Sequence, residues 1–367
     1  MSIIEETIKR IGPVDAALIK MAEARQQQLT KPPGSLGRLE EIANRLCAIQ
    51  KTLEPTAAGR RIVIFAADHG VAAEGVSAYP PEVTAQMVAN FCAGGAAINA
   101  LAQVAQSELC VVDIGVAGSI PDLAANQTGH DCRGPVARSA RFASRRVRAG
   151  TRNMTRGAAM TEDEMWSALR AGLELAEAAT SEGITLIGLG EMGIGNTTAA
   201  SAVTAALTGL EPSRVTGRGT GADDATFARK VKAVKAALDI NKPDGGDALD
   251  VLRKVGGLEI AGLCGLCLGA AAMRRAIITD GFIATAGAAL AVRLCPNVSG
   301  YIFAAHLSPE PGHAVLLDLI NQRPILDLEM RLGEGTGAAL AMNIIAAAVA
   351  AFTEMATFES AGVTKRG

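Results

Sequence analysis

From residue 61 onward, short apolar runs recur along the chain, and each ends in polar or glycine residues. They are IVIFAA (62–67), LCVVDIG (109–115), ITLIGLG (184–190), AIITDG (276–281) and YIFAAH (301–306). Each run is strand-length and rich in β-branched residues, and helix-length segments separate them. That alternation predicts an α/β fold with a parallel sheet and crossover helices. Residues 1–55 instead look helical and polar-amphipathic, broken by Pro-Pro-Gly at 32–34, with a helix restarting near Ser35. The stretch 119–160 interrupts the rhythm and carries Arg133, Arg138, Arg141, Arg145, Arg146, Arg148, Arg152 and Arg156. It closes on Thr161-Glu-Asp-Glu164, a capping box for the next helix. A solvated or inter-subunit insertion is the plainer reading of those arginines, and an anion-gathering loop is the alternative.

In open parallel sheets, ligands bind beyond the carboxyl ends of the strands. Here those ends carry Asp68-His69-Gly70, Asp113-Ile-Gly115, Glu191, Asp280-Gly281 and His306. Polar chemistry is therefore expected to collect on one rim.

Composition narrows the function classes. Hydrophobic residues make up 49% of the 367, enough for a large core, while aromatics are only 3%, so aliphatic side chains must fill it. The formal net charge of −2 lacks the basic excess of a nucleic-acid binder. The amino terminus has no basic-then-apolar signal layout. Seven scattered cysteines suit a reducing, cytoplasmic compartment. Cys264 and Cys267 form a CxxC without a second pair or nearby His, so both are expected in the core. The four histidines show no metal-ligand spacing, and neither metal nor cofactor is expected. Gly335–Phe352 is apolar but interrupted by Asn343, which predicts a buried helix and no membrane span.

Three glycine-rich turns carry candidate chemistry. Gly188-Leu-Gly190-Glu191-Met-Gly193 fits the GxGxxG pattern after a strand, so an NAD-dependent oxidoreductase is one reading. Glu191 inside the turn would oppose a pyrophosphate, and no second strand ending in a ribose-binding acid follows. Gly217-Arg-Gly219-Thr-Gly221 precedes a helix containing Lys230, and clustered N–H groups beside a cation suit a single phosphate. Lys232 and Lys235 read as a solvated face, whereas Lys230 fits either role. Gly333-Glu334-Gly335-Thr-Gly337 precedes the long Ala-rich helix. There Glu334 is either a cap for orphan amides or a base set where substrate backbone approach is open.

Several longer stretches occur in order. They are Leu29-Thr-Lys-Pro-Pro-Gly-Ser-Leu-Gly-Arg-Leu-Glu40, Ala67-Asp-His-Gly-Val71, Tyr79-Pro-Pro-Glu-Val-Thr-Ala-Gln-Met87 and Gly150-Thr-Arg-Asn-Met154. Gly190-Glu-Met-Gly-Ile-Gly-Asn-Thr-Thr198, Gly256-Gly-Leu-Glu-Ile260, Glu310-Pro-Gly-His313 and Arg331-Leu-Gly-Glu-Gly-Thr-Gly337 complete the set. Together, from about residue 29 to 350, they resemble the nicotinate-nucleotide–dimethylbenzimidazole phosphoribosyltransferase family. The resemblance implies a Rossmann-like sheet in a large domain (58–330) and a small helical domain from both chain ends (1–57 with 331–367). It implies a homodimer acting on nicotinate mononucleotide and a benzimidazole-type base. It also implies Glu334 as general base, with Glu191 and Lys230 near the reacting centre and the ribose phosphate. Tyr79, Pro80 and Gln86 would line the base pocket. Gly193, Asn196, Gly217, Gly219, Thr220, Gly221 and Gly333 would contact substrate, and Glu259 and Asp280 would supply further acids around it. A non-catalytic nucleotide sensor of the same fold is the remaining alternative.

Overall fold

The computed structural model describes residues 3–120, 140–219 and 221–364. Its strands are β1 (Arg60–Ala67), β2 (Glu108–Gly115), β3 (Arg141–Ser144), β4 (Leu186–Met192), β5 (Ala276–Thr279) and β6 (Ile302–Ala304). They form one parallel sheet in the order β3-β2-β1-β4-β5-β6. This is the doubly wound order, and its direction reverses between β1 and β4, where ligands bind in such sheets. The sheet is α/β as expected, with one strand, β3, that the hydrophobic pattern did not reveal.

The helices before β3 are α1 (Ile3–Lys9), α2 (Ala16–Gln26), α3 (Arg38–Gln50), α4 (Glu82–Ala93) and α5 (Ala97–Val104). After it come α6 (Glu162–Ser181), α7 (Asn196–Thr208), α8 (Pro212–Val215), α9 (Asp224–Asn241), α10 (Ala248–Val255), α11 (Leu258–Ala272), α12 (Phe282–Leu294), α13 (Pro311–Leu319) and α14 (Thr336–Glu354). Helix α6 begins at the expected capping box, Thr161 accepting from the Glu164 N–H while the Glu164 carboxylate accepts from the Thr161 N–H.

Helix α11 shows why so few aromatics suffice. It is buried from Leu258 to Ala271, between the sheet on one side and α6 and α12 on the other. Apolar on every face after Glu259 in its first turn, it is an interior helix. Cys264 and Cys267 lie within it, their thiols pushed up by burial, in keeping with inert core residues. Glycine lets α6 and α11 touch backbone to backbone: a Cβ at Gly172 would overlap the Gly262 carbonyl, and one at Gly265 the Leu169 carbonyl.

Helix α14 is long and apolar enough to cross a membrane, yet it packs between α3 and the strands β1, β4 and β5. The chain ends meet beside it, the Thr30 N–H donating to the Ala356 carbonyl at 3.0 Å and the Phe358 N–H to Gln28 at 2.9 Å. Helix α1 lies instead against α6 and α11.

The arginine-rich stretch resolves into ion pairs. Arg141 meets Glu182 at 2.7 Å, Arg146 meets Asp113 at 2.9 Å and Arg152 meets Glu164 at 2.6 Å, with Arg148 on the same carboxylate at 3.3 Å. Arg145 and Arg156 lie 3.9 and 3.7 Å from Glu174 and Glu74. These arginines tie β3 and its loop to neighbouring elements and gather no free anion-binding set. Arg133 and Arg138 lie outside the described residues.

Gly265→Ala tests the contact between α6 and α11. The added methyl gains roughly 1 kcal/mol of helix propensity but strikes backbone that cannot step aside, and overpacking typically costs about 1–3 kcal/mol. The urea midpoint is expected to fall, and a midpoint at or above the parent value would disprove the close approach.

Candidate active site

Beyond the carboxyl ends of β4, β5 and β6 lies a cavity of about 390 Å³, within the range of small-ligand sites. Glu191, Asn196, Lys230, His306, Glu310 and Glu334 are among its polar lining, with Arg218 and Arg331. Val83, Met87, Phe282 and Ile283 form apolar wall, and Tyr79, 51% exposed, stands at its edge. The rim foreseen from the strand ends is therefore where the cavity sits.

Glu334 is held by an unusual piece of backbone. Gly333, Glu334 and Gly335 have φ of +85°, +64° and +86°. For glutamate the left-handed region costs on the order of 1–3 kcal/mol and persists only when surroundings enforce it. Asp280, just past β5, enforces it: its Oδ2 accepts from the Gly335 N–H at 2.9 Å and its Oδ1 from the Gly337 N–H at 2.7 Å. Sheet packing adds a second constraint, since a Cβ at Gly190 would come within 2.9 Å of the Glu334 carbonyl. Capping of α14 thus belongs to Asp280, which frees the Glu334 side chain for the cavity. That carboxyl is 6% exposed, and its Oε2 has no hydrogen-bond partner. Burial raises its pKa to about 7, opposed by a backbone bond from Ile98 and reinforced by Asp280. A carboxylate tuned to neutrality, aimed into a cavity, is suited to proton abstraction.

Glu191 ends β4 on the same wall. It is buried, takes a hydrogen bond from the Asn196 amide and packs against Gly333, where a side chain would collide with its Oε1. Burial first, then the charges of Asp280, Glu259 and Glu334, push its pKa well above the ordinary value. An approaching cation would therefore be welcome beside it. Gly193 and Asn196 line the cavity at the start of α7.

A buried cation also lines the cavity. Lys230, 1% exposed on α9, donates to Thr197 Oγ1 at 3.0 Å; burial lowers its pKa, and Glu310 partly restores it. Buried lysine with a lowered pKa gains from an anion. Lys235 instead pairs with Asp239 on the solvent side, at 3.0 Å.

The structure departs from the sequence expectations at several residues. Gly188 and Gly190 lie inside β4, facing α14, where a Cβ at Gly188 would press on Met342 and Ala338. They serve helix–sheet packing, so the GxGxxG pattern does not form a dinucleotide turn. The Gly219 N–H, expected free for a phosphate, donates to Glu310 Oε1 at 2.8 Å, and Gly217 is glycine because the same carboxylate presses on it. Gly217 and Gly221 do not line the cavity, and Thr220 lies outside the described residues. Glu259 stands behind the wall, fully buried, and meets His69 Nε2 at 2.6 Å. Asp280 acts on backbone amides and does not border the cavity. Pro80 and Gln86 are exposed and away from it; α4 turns Val83 and Met87 inward instead. Glu310 and Ser308 border the cavity although no pattern singled them out for it. The Glu310-Pro-Gly-His313 motif held the signal, an acid immediately before the proline that starts α13.

A family model described as a phosphoribosyltransferase matches residues 11–363. The nicotinate-nucleotide–dimethylbenzimidazole phosphoribosyltransferase of Geobacter metallireducens is 52% identical over 365 residues, covering 100% of this chain and 99% of its own. The enzyme of the same name from Chloroflexus aggregans is 47% identical over 366 residues, with 100% and 99% covered. The crystal structure of the Thermus thermophilus enzyme of that name superposes with a TM-score of 0.86 at 45% identity, covering 96% of this chain and 100% of that one. The doubly wound sheet, the carboxylates of its cavity and these full-length likenesses lead to one conclusion: this chain is an enzyme of the nicotinate-nucleotide–dimethylbenzimidazole phosphoribosyltransferase family.

Proposed function

We propose that this enzyme transfers the 5-phosphoribosyl group of nicotinate mononucleotide to 5,6-dimethylbenzimidazole or a related base. The products are nicotinate and an α-ribazole 5'-phosphate type nucleotide, with inversion at C1. The observation that carries the reading is Glu334, a cavity carboxyl with an unpartnered oxygen and a pKa near 7.

The chemistry asks little else of the protein. The donor's pyridinium nitrogen already carries positive charge, so breaking its bond to C1 returns an electron pair and releases neutral pyridine nitrogen without a general acid. One benzimidazole nitrogen attacks C1 as the other loses its proton to Glu334. A base of this kind contributes about 10²–10⁴-fold. Alignment of the two rings and the ribose supplies much of the remainder. Glu191, ionised once the cationic donor is beside it, faces the oxocarbenium-like centre and stabilises it. Lys230 holds the phosphate and so fixes the sugar. The apolar residues Val83, Met87 and Phe282 offer the surface a flat heteroaromatic base requires. The enzyme acts in the cytoplasm as a homodimer, each site completed by the neighbouring subunit's small domain (1–57 with 331–367). Tyr79 and Leu332, 51% and 48% exposed beside the cavity, support that closure.

Glu334→Gln is expected to lower turnover at least 10²-fold with little change in nucleotide affinity, read by chromatography of released nicotinate. Retention of most activity removes Glu334 from the base role. The sign of the pH dependence follows from its raised pKa. Protonated Glu334 cannot accept, so kcat/KM rises with pH up to about 7 and then levels. The limb in kcat lies lower, because the bound pyridinium cation favours the carboxylate. A flat profile from pH 5 to 8 would contradict this.

Lys230→Ala should chiefly raise the Michaelis constant for the mononucleotide, by about tenfold or more for a lost charge-assisted bond. An unchanged constant would return Lys230 to a structural role.

A further inference from the structure

The proposed mechanism does not use His306, though it borders the cavity with its side chain 2% exposed. It follows β6, and its Nε2 lies 3.5 Å from Asp280 Oδ1. That oxygen also accepts from the Gly337 N–H, while its twin accepts from Gly335. The imidazole and the carboxylate together fill the space a side chain at 337 would need, since a Cβ there would overlap His306 Cδ2. Ring, carboxylate and helix start are thus one packed unit, and Glu334 is the residue between Gly333 and Gly335 within it.

The remaining ionisable groups leave the pairing to Asp280. Burial lowers the proton affinity of the His306 ring, but Asp280 outweighs it and raises the pKa, aided by the Leu307 backbone and Asp327. His313 faces it from α13 with ring centroids 6.1 Å apart. Burial, and then His306, drives His313 down to about 3, so it stays neutral. Glu334 is flanked by Asp280 and Glu191, with Glu259 behind the latter.

We propose that His306 is a positioning residue of the transfer reaction. Acting through Asp280, it fixes the left-handed turn that carries Glu334 and balances the negative charge beneath that turn. This rests on the reaction proposed above and extends it to a residue that does not touch the reacting atoms. Without the His306 ring, the Asp280 carboxylate loses the neighbour 3.5 Å away that offsets its field. A negative charge near a buried carboxyl favours the protonated form, so Glu334 would become a base only at higher pH.

The test is the pH profile of nicotinate release for His306→Gln, with Asp280→Asn added in the same chain. For His306→Gln, turnover at pH 7 is expected to fall about tenfold with the mononucleotide KM within about twofold. The acid limb should move upward by on the order of half to one pH unit. Asp280→Asn, which removes the source of the field, should bring the limb back to or below its parent position. An unmoved limb, or a loss confined to KM, overturns the proposal; a merely structural histidine would lower activity without moving the limb.

Should either variant fail to fold, NMR of the wild type decides. The His306 ring should titrate above 6.5, and the amide resonances of Gly335 and Gly337 should follow that titration. A ring already neutral at pH 6, or glycine amides indifferent to it, overturns the proposal. If the wild type releases no nicotinate with any base, the reaction proposed above fails. The NMR arm then still judges the linkage of His306 to the turn.

Discussion

The site depends on one carboxylate that does no chemistry in the proposed reaction. Asp280 reaches from the end of β5 and takes two N–H groups from the first turn of α14, at 2.9 and 2.7 Å. Those donors belong to the orphan set that every helix start must satisfy. The usual local solution is an N-cap side chain, but here the N-cap position is Gly335 in left-handed conformation. Satisfying the amides from a distant strand pins α14 to the sheet and spares Glu334 that duty. It also keeps a glutamate in a backbone region it would otherwise leave. The glycines on either side are required for the same reason: Gly333 lies against Glu191, Gly335 against Ile62 and the Gly190 backbone.

Much of this was legible from the chain. Strand-length apolar runs and the polar residues that end them located the rim, because burial on both faces leaves continuous apolar runs of strand length. The strand β3 was missed because RFAS is short and half-exposed, and it sits at the edge beside arginines whose partners lie elsewhere in sequence. The GxGxxG pattern misled for a related reason. Glycine is needed both for tight turns and for close helix–sheet packing, and only the position of α14 tells the two apart. The choice between cap and base for Glu334 was open on sequence, since the residue that caps α14 in its place, Asp280, is remote. Gln86 and Met87 are neighbours on α4 and point about 100° apart around its axis, so only the seating of the helix decides which one faces the cavity.

The cavity buries charge of both signs. Glu191 and Glu334 are forced above their ordinary pKa values by burial and by neighbouring acids, and Lys230 is forced below its own by burial. Each alone is a cost, because buried charge is stabilised only by a partner. In the proposed reaction nicotinate mononucleotide brings a cation at its pyridinium nitrogen, beside the ring's own carboxylate, and an anion at its phosphate. Setting the ring nitrogen against Glu191 and the phosphate against Lys230 would relieve both. The same charge separation explains why the reaction can run forward in such a site. When the bond to C1 breaks, the pyridinium loses its positive charge, and the attraction that held it to the carboxylates goes with it. In the proposed step the proton passed to Glu334 would neutralise one of those carboxylates at that moment, leaving only Glu191 charged where the leaving group stood.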